Sequence, residues 1–269
     1  MPRNPDKTNI SSTSTFPQCD YRLIDRHIQS NDLSDLLASK ASQFGGCRTK
    51  KFEQQSFNIK TGMGSWFKDP ALTPDHQVWG GACHALSITW ITEHAHGRSI
   101  WPWLQCSCGD ILSGPASYIL ALQASSKGVS EPYFNYFTYY GSSKSHWQKM
   151  IFNFYGMTPY PLIGQYDYEA SITFQNNPIK QNLDHLLSEI FNTTDHYILL
   201  RFYNVQQHGH CISMWSGKDI VLFDPEIGEF WFPSKDGFTE WFYEYWKKAC
   251  LTHFVLPTFY ISKWTCSYK

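Results

Sequence analysis

Apolar residues return every three or four positions from Arg22 to Lys40 (RLIDRHIQSNDLSDLLASK), which predicts one or two short helices. The run FGG at Phe44–Gly46 breaks this period, and Asn58–Pro74 has none and reads as loop. A longer apolar run, CHALSITWITEH, predicts a helix that begins at about Cys83 and ends near Gly97. Two further helices are expected around Ile111–Ser125, where Pro115 either starts or kinks the element, and around Lys144–Tyr155. Lys180–Phe191 (KQNLDHLLSEIF) alternates faces as an amphipathic helix does.

The texture changes at His196. HYILLRFYNV, GHCISMWS, DIVLFDP and EFWFP are short, rich in β-branched and aromatic residues, and separated by turn residues. Such runs predict an antiparallel meander. Ser234–Ala249 returns to helical spacing, and its aromatic stretch Trp241–Trp246 reads as core rather than as an exposed ledge. Thr252–Ser262 reads as a last strand, with Pro257 arguing for an edge position or a bulge. Helices first and antiparallel strands later define an α+β fold.

Composition narrows the function classes. A chain of 269 residues with formal net charge −1 has no bulk electrostatic attraction for nucleic acid or an anionic membrane. No apolar run approaches the roughly 18 residues of a spanning helix. The first stretch, MPRNPDKTNISSTSTFPQ, lacks the apolar centre of a signal peptide and is rich in Ser, Thr, Asn and Pro. Residues 1–20 are therefore expected to be a disordered leader, with a secretion signal as its functional reading, and residues 21–269 a single catalytic domain. The eight cysteines (Cys19, Cys47, Cys83, Cys106, Cys108, Cys211, Cys250 and Cys266) form no framework of short loops, so reduced thiols are expected. CSC at Cys106–Cys108 has no second half to complete a zinc site, and His94 and His96 diverge on a helix, so no metal is implied.

One cysteine stands apart. In DHQVWGGACHALSITWIT, Cys83 follows Gly80 and Gly81 and opens the predicted helix, where free N–H groups and the helix dipole favour a thiolate. Gln77, six residues upstream, is placed to give an oxyanion a second donor beside the Cys83 N–H. The bland alternative is a buried helix cysteine and an ordinary loop glutamine. A base is supplied by His210 at the start of the strand GHCISMWS, with His208 as a competitor assigned to the turn. Asp224, at the end of the next strand before Pro225, can receive the other imidazole nitrogen. Each residue alone has an ordinary structural explanation; the three in this order favour a Cys-His-Asp site.

QVWGGACHALSITWI, GHCISMW and FDPEIGEF together resemble the papain-like cysteine proteases of the YopT and AvrPphB type, bacterial effectors and toxin domains delivered into host cells. The resemblance lies in three islands within Gln77–Phe230, and FDP-x-x-G-x-F is the most specific of them. By motif it implies Cys83 as nucleophile, His210 as general base, Asp224 as orienting acid and Gln77 as the oxyanion glutamine. Cys211 and Trp215 are this chain's own filling of the histidine strand. It further implies a papain-like fold, an N-terminal helical half packed on a C-terminal antiparallel sheet, without cofactor. The expected setting is a monomer secreted by a bacterium into the host cytosol, with a host protein as substrate and a secretion chaperone or host activator as further partners. The same fold and triad also serve glutamine deamidases, transglutaminase-like modifiers and acyltransferases. A non-catalytic binding module with a buried Cys83 is the third reading.

Overall fold

The computed structural model describes residues 26–54, 82–128, 143–160, 169–204, 209–250 and 257–266. Helix α1 (Arg26–Gln43) leads into strand β1 (Cys47–Lys50). Four helices follow: α2 (Cys83–Ala95), α3 (Ile100–Leu104), α4 (Ser113–Gly128) and α5 (Ser143–Phe154). Strands β2 (Met157–Pro159) and β3 (Glu169–Thr173) precede α6 (Ile179–Phe191). The meander β4 (His196–Tyr203), β5 (Gly209–Ser216), β6 (Ile220–Asp224) and β7 (Gly228–Phe232) comes next. Helix α7 (Lys235–Tyr245) runs into a π-helical turn, Trp246–Cys250, and β8 (Thr258–Cys266) ends the described chain. Among the described residues no helix is long and apolar enough to cross a membrane.

Among the described residues all strand pairs are antiparallel, in the order β1-β7-β6-β5-β4-β8-β2, with β3 also on β8, to make an eight-stranded sheet. The period of two splits each central strand between two cores. Ile198, Leu200 and Phe202 of β4, Ile212 and Met214 of β5, and Ile220 and Leu222 of β6 face α1, α6 and α7. Tyr197 and Leu199, Cys211, and Val221 and Phe223 face α2 to α5. Because both faces are covered, β4 is buried along nearly its whole length, and its apolar residues fall on both faces with only His196 and Arg201 breaking the run. The expected α+β order therefore holds, with one refinement: α1 leaves the N-terminal helices and joins α6 and α7 on the far face. Its inward residues Leu37 and Ala41 are fully buried, and Ser34 Oγ donates to the Ile227 carbonyl at 2.7 Å.

Two further differences appear, and one open choice is settled. Strand β8 is an interior strand, not an edge, because Pro257 stops one residue short of the ladder and there offers only its carbonyl, to Phe174 N–H at 3.0 Å. Pro115 lies in the first turn of α4, where a missing N–H costs nothing, so it starts the helix rather than kinking it. Cys106 and Cys108 are joined in a disulfide, against the expectation of reduced thiols throughout. The aromatic run of α7 is core as expected: Trp241, Phe242, Tyr245 and Trp246 are all fully buried.

Candidate active site

Helix α2 starts at Cys83, with Ala82 as an N-cap that has no capping side chain of its own. Two glutamines from elsewhere serve instead. Gln54 Oε1 accepts from Ala82 N–H at 3.1 Å, and Gln123 Oε1 of α4 accepts from Ala85 N–H at 3.0 Å. Between them, the Cys83 N–H keeps no hydrogen-bond partner among the described residues. That leaves a donor at the positive end of a buried helix, beside a half-buried thiol.

One turn further along α2, Ser87 Oγ donates to the carbonyl of Cys211 at 3.0 Å. This bond pins the start of the helix against β5 one residue after His210, which brings the Cys83 side chain close enough to bear on the charge of the His210 ring. His210 pairs with Phe202 of β4, and the two rings meet edge to face with centroids 5.5 Å apart. Its Nε2 meets Asp224 Oδ1 at 2.7 Å, which leaves Nδ1 for Cys83. Asp224, 2% exposed, is held by three donors: the His210 ring, Glu226 N–H at 2.8 Å and the Tyr245 hydroxyl at 2.7 Å.

Electrostatics follow from this arrangement. Burial by itself disfavours a charged His210, but the Asp224 carboxylate and hydrogen bonds to Asp224 and Cys83 outweigh it and raise the imidazole well above its ordinary value. Burial pushes Asp224 up, and the His210 charge, with hydrogen bonds from His210, Glu226 and Tyr245, brings it below the usual carboxylate range. Burial, reinforced by Cys83, pushes the Cys211 thiol well up, so Cys211 stays a protonated, inert thiol next to the site.

The structure thus brings Cys83, His210 and Asp224 together. Gln77, Gly80, Gly81 and the competing His208 lie outside the described residues. Ser87, Gln123, Gln54 and Tyr245 support the site and were not singled out by the sequence. Tyr245 was visible only as one ring in an aromatic run, and the two glutamines carry no local pattern.

Elsewhere, His94 Nδ1 bonds the Tyr197 hydroxyl at 2.9 Å and His96 Nδ1 the Thr92 carbonyl at 2.7 Å, so the two rings serve separate partners. Cys106, Cys108 and Asp110 place their ligand atoms within 4.8 Å of one another, but the disulfide removes both thiolates as ligands. A cavity of about 300 Å³ lined by Trp90, His94, Arg98 and Glu229 lies at the other end of α2 and includes none of the three site residues.

Residues 142–254 match the peptidase C58 family, described as Yersinia/Haemophilus virulence surface antigen. None of the curated proteins compared matches the chain. Solved structures with a loose likeness include the Pseudomonas avirulence protein AvrPphB, at 13% identity and TM-score 0.48, over 68% of this chain and 90% of that one. The YopT domain of the Pasteurella multocida PfhB2 toxin follows at 17% identity and TM-score 0.31, over 78% and 90% of the two chains. PatoxP, a cysteine protease-like domain of the Photorhabdus asymbiotica toxin PaTox, gives 14% identity and TM-score 0.36, over 87% and 59%. The matched stretch holds His210 and Asp224 but not Cys83. Over residues 142–254 the chain is similar to the C58 peptidases, the cysteine peptidase family that its motifs resemble.

Proposed function

We propose that this chain is a thiol peptidase in which Cys83 is the nucleophile, His210 the general base and acid, and Asp224 the residue that orients the imidazole. The observation that carries the reading is the junction itself: a thiol at a helix N-terminus, close enough to an imidazole to bear on its charge, with that imidazole's Nε2 2.7 Å from a buried carboxylate.

The Cys83 proton passes to His210 Nδ1, and Asp224 stabilises the imidazolium. The thiolate sulfur bonds to the scissile carbonyl carbon, and the oxyanion rests on the free Cys83 N–H, with Gln77 as second donor. Collapse breaks the C–N bond as His210 returns its proton to the leaving amine. Water, deprotonated by His210, then attacks the thioester; the C–S bond breaks and the thiolate is restored.

The substrate is a host protein, and the chain acts as a bacterial effector secreted into the host cell. The C58 match, to a family described by virulence surface antigens, supports this setting. The test is incubation of wild type and Cys83→Ala with a eukaryotic cell lysate, scoring new peptide N-termini and Gln-to-Glu conversions by mass spectrometry. New N-termini confined to wild type are expected. Glu conversions without cuts would make the protein a deamidase, and identical samples, with Cys83 alkylated no faster than Cys47 or Cys266, would sink the enzymatic reading.

A further inference from the structure

The nucleophile and the acid reach the site on different elements, and one buried side chain joins the two turns that carry them. Gln54 is 2% exposed and lies just after β1. Its Oε1 accepts from Ala82 N–H, one residue before Cys83. Its Nε2 donates to the Glu226 carboxylate, and its own N–H donates to the Pro225 carbonyl at 2.6 Å. Pro225 and Glu226 are the two residues directly after Asp224, and Glu226 N–H is itself one of the donors to Asp224.

The bond from Ala82 fixes which end of the amide is which. Only the oxygen can accept from a backbone N–H, so the nitrogen must face Glu226. A single carboxamide therefore spans from the N-cap of α2 to the turn behind the acid. We infer that Gln54 is a positioning residue of the peptidase reaction, setting the distance between the nucleophile turn and the acid turn. This rests on the peptidase reading above.

Two physical consequences follow. By taking the Ala82 N–H, Gln54 orders the cap of a helix whose own N-cap residue cannot. Because the amide is buried, losing either of its bonds strands a polar group, so the two turns cannot slide past each other cheaply. Small displacements of reacting groups are expensive in rate, about 100-fold for a shift of about 1 Å.

The test reverses the chemistry of the bridge. Gln54→Glu can still accept from Ala82 N–H but sets a second carboxylate against Glu226. Adding Glu226→Gln puts the donor on the other side and restores the bridge with the charge conserved. The readout is the rate of Cys83 alkylation by iodoacetamide, located by mass spectrometry, with the thermal midpoint measured alongside. We expect Gln54→Glu to slow Cys83 by about tenfold or more while the protein stays folded, and the double variant to recover most of that loss. Glu226→Ala breaks the bridge from its other end and is expected to show the same slowing if Gln54→Glu does not fold. Wild-type reactivity in either single variant, or a double variant no faster than Gln54→Glu, would overturn the inference. A wild-type Cys83 no more reactive than Cys47 or Cys266 would instead sink the peptidase reading beneath it.

Discussion

Tyr245, fully buried on α7, donates its hydroxyl to Oδ2 of Asp224 at 2.7 Å while His210 holds Oδ1. The carboxylate next to the imidazole is thus fixed from the layer opposite to the one that carries Cys83.

Tyr245→Phe keeps the ring and deletes that donor. A hydrogen bond to a charged buried group is worth about 1.5–3 kcal/mol, and a loss of that order is expected in urea denaturation at neutral pH. Asp224 is lowered in the folded state, so its stabilisation is present above the ordinary carboxylate value and lost as pH falls through the folded one. Without the Tyr245 donor the depression shrinks, and the midpoint of acid unfolding should move to higher pH.

Asp224→Asn removes the charge that raises His210 and leaves the burial that opposes it. In wild type the raised imidazole contributes stability in full below about 6.5 and loses it as pH rises through its folded value. The variant should lose that contribution, and the alkaline limb of the activity profile should shift to lower pH. Turnover should fall by roughly 10²–10⁴-fold, the range for losing an aligned general base. A pH–rate profile of both proteins on one cleaved peptide checks this; an unmoved alkaline limb would contradict it.

Arg201 and Glu169 form a buried pair, 2.5 Å apart and 6% and 10% exposed at their side chains, and Arg201 Nε has no hydrogen-bond partner among the described residues. Glu169→Gln leaves the guanidinium charge buried and uncompensated. The expected cost is about 3–5 kcal/mol, read as a lower urea midpoint.

Gly228 opens β7 at φ +111°, where a Cβ would run into the Lys50 carbonyl oxygen. Gly228→Ala should cost about 1–3 kcal/mol or more, because the strained backbone and the collision with β1 add. Thermal unfolding measures the loss.

The legible part of this molecule was local. His210 and Asp224 sit on strands joined by a tight turn, so alternation and turn chemistry placed both within a residue. Cys83 was legible because a helix start is written in the residues beside it. Gln54 was not, since its meaning comes from contacts at sequence separations of 28 and 172 residues, which leave no period behind. The short strands β2 and β3 escaped for a similar reason: MTP and EASIT lack the dense β-branched and aromatic residues of the equally short β6 and β7, and β8 alone defines them. The placement of α1 on the far face was equally silent, because an amphipathic stripe says that a face is buried and not against which partner.

The sheet between two helical layers makes the site a seam rather than a pocket in one layer. Its thiol comes from one side, its imidazole and carboxylate from strands in the middle, and its last clamp from the other side, late in the chain. On the peptidase reading proposed above, a chain that has assembled only one layer would have its cysteine without the paired imidazole and carboxylate. On that reading, enhanced reactivity at Cys83 would report that both layers have closed on the sheet, and peptidase activity would be withheld until then.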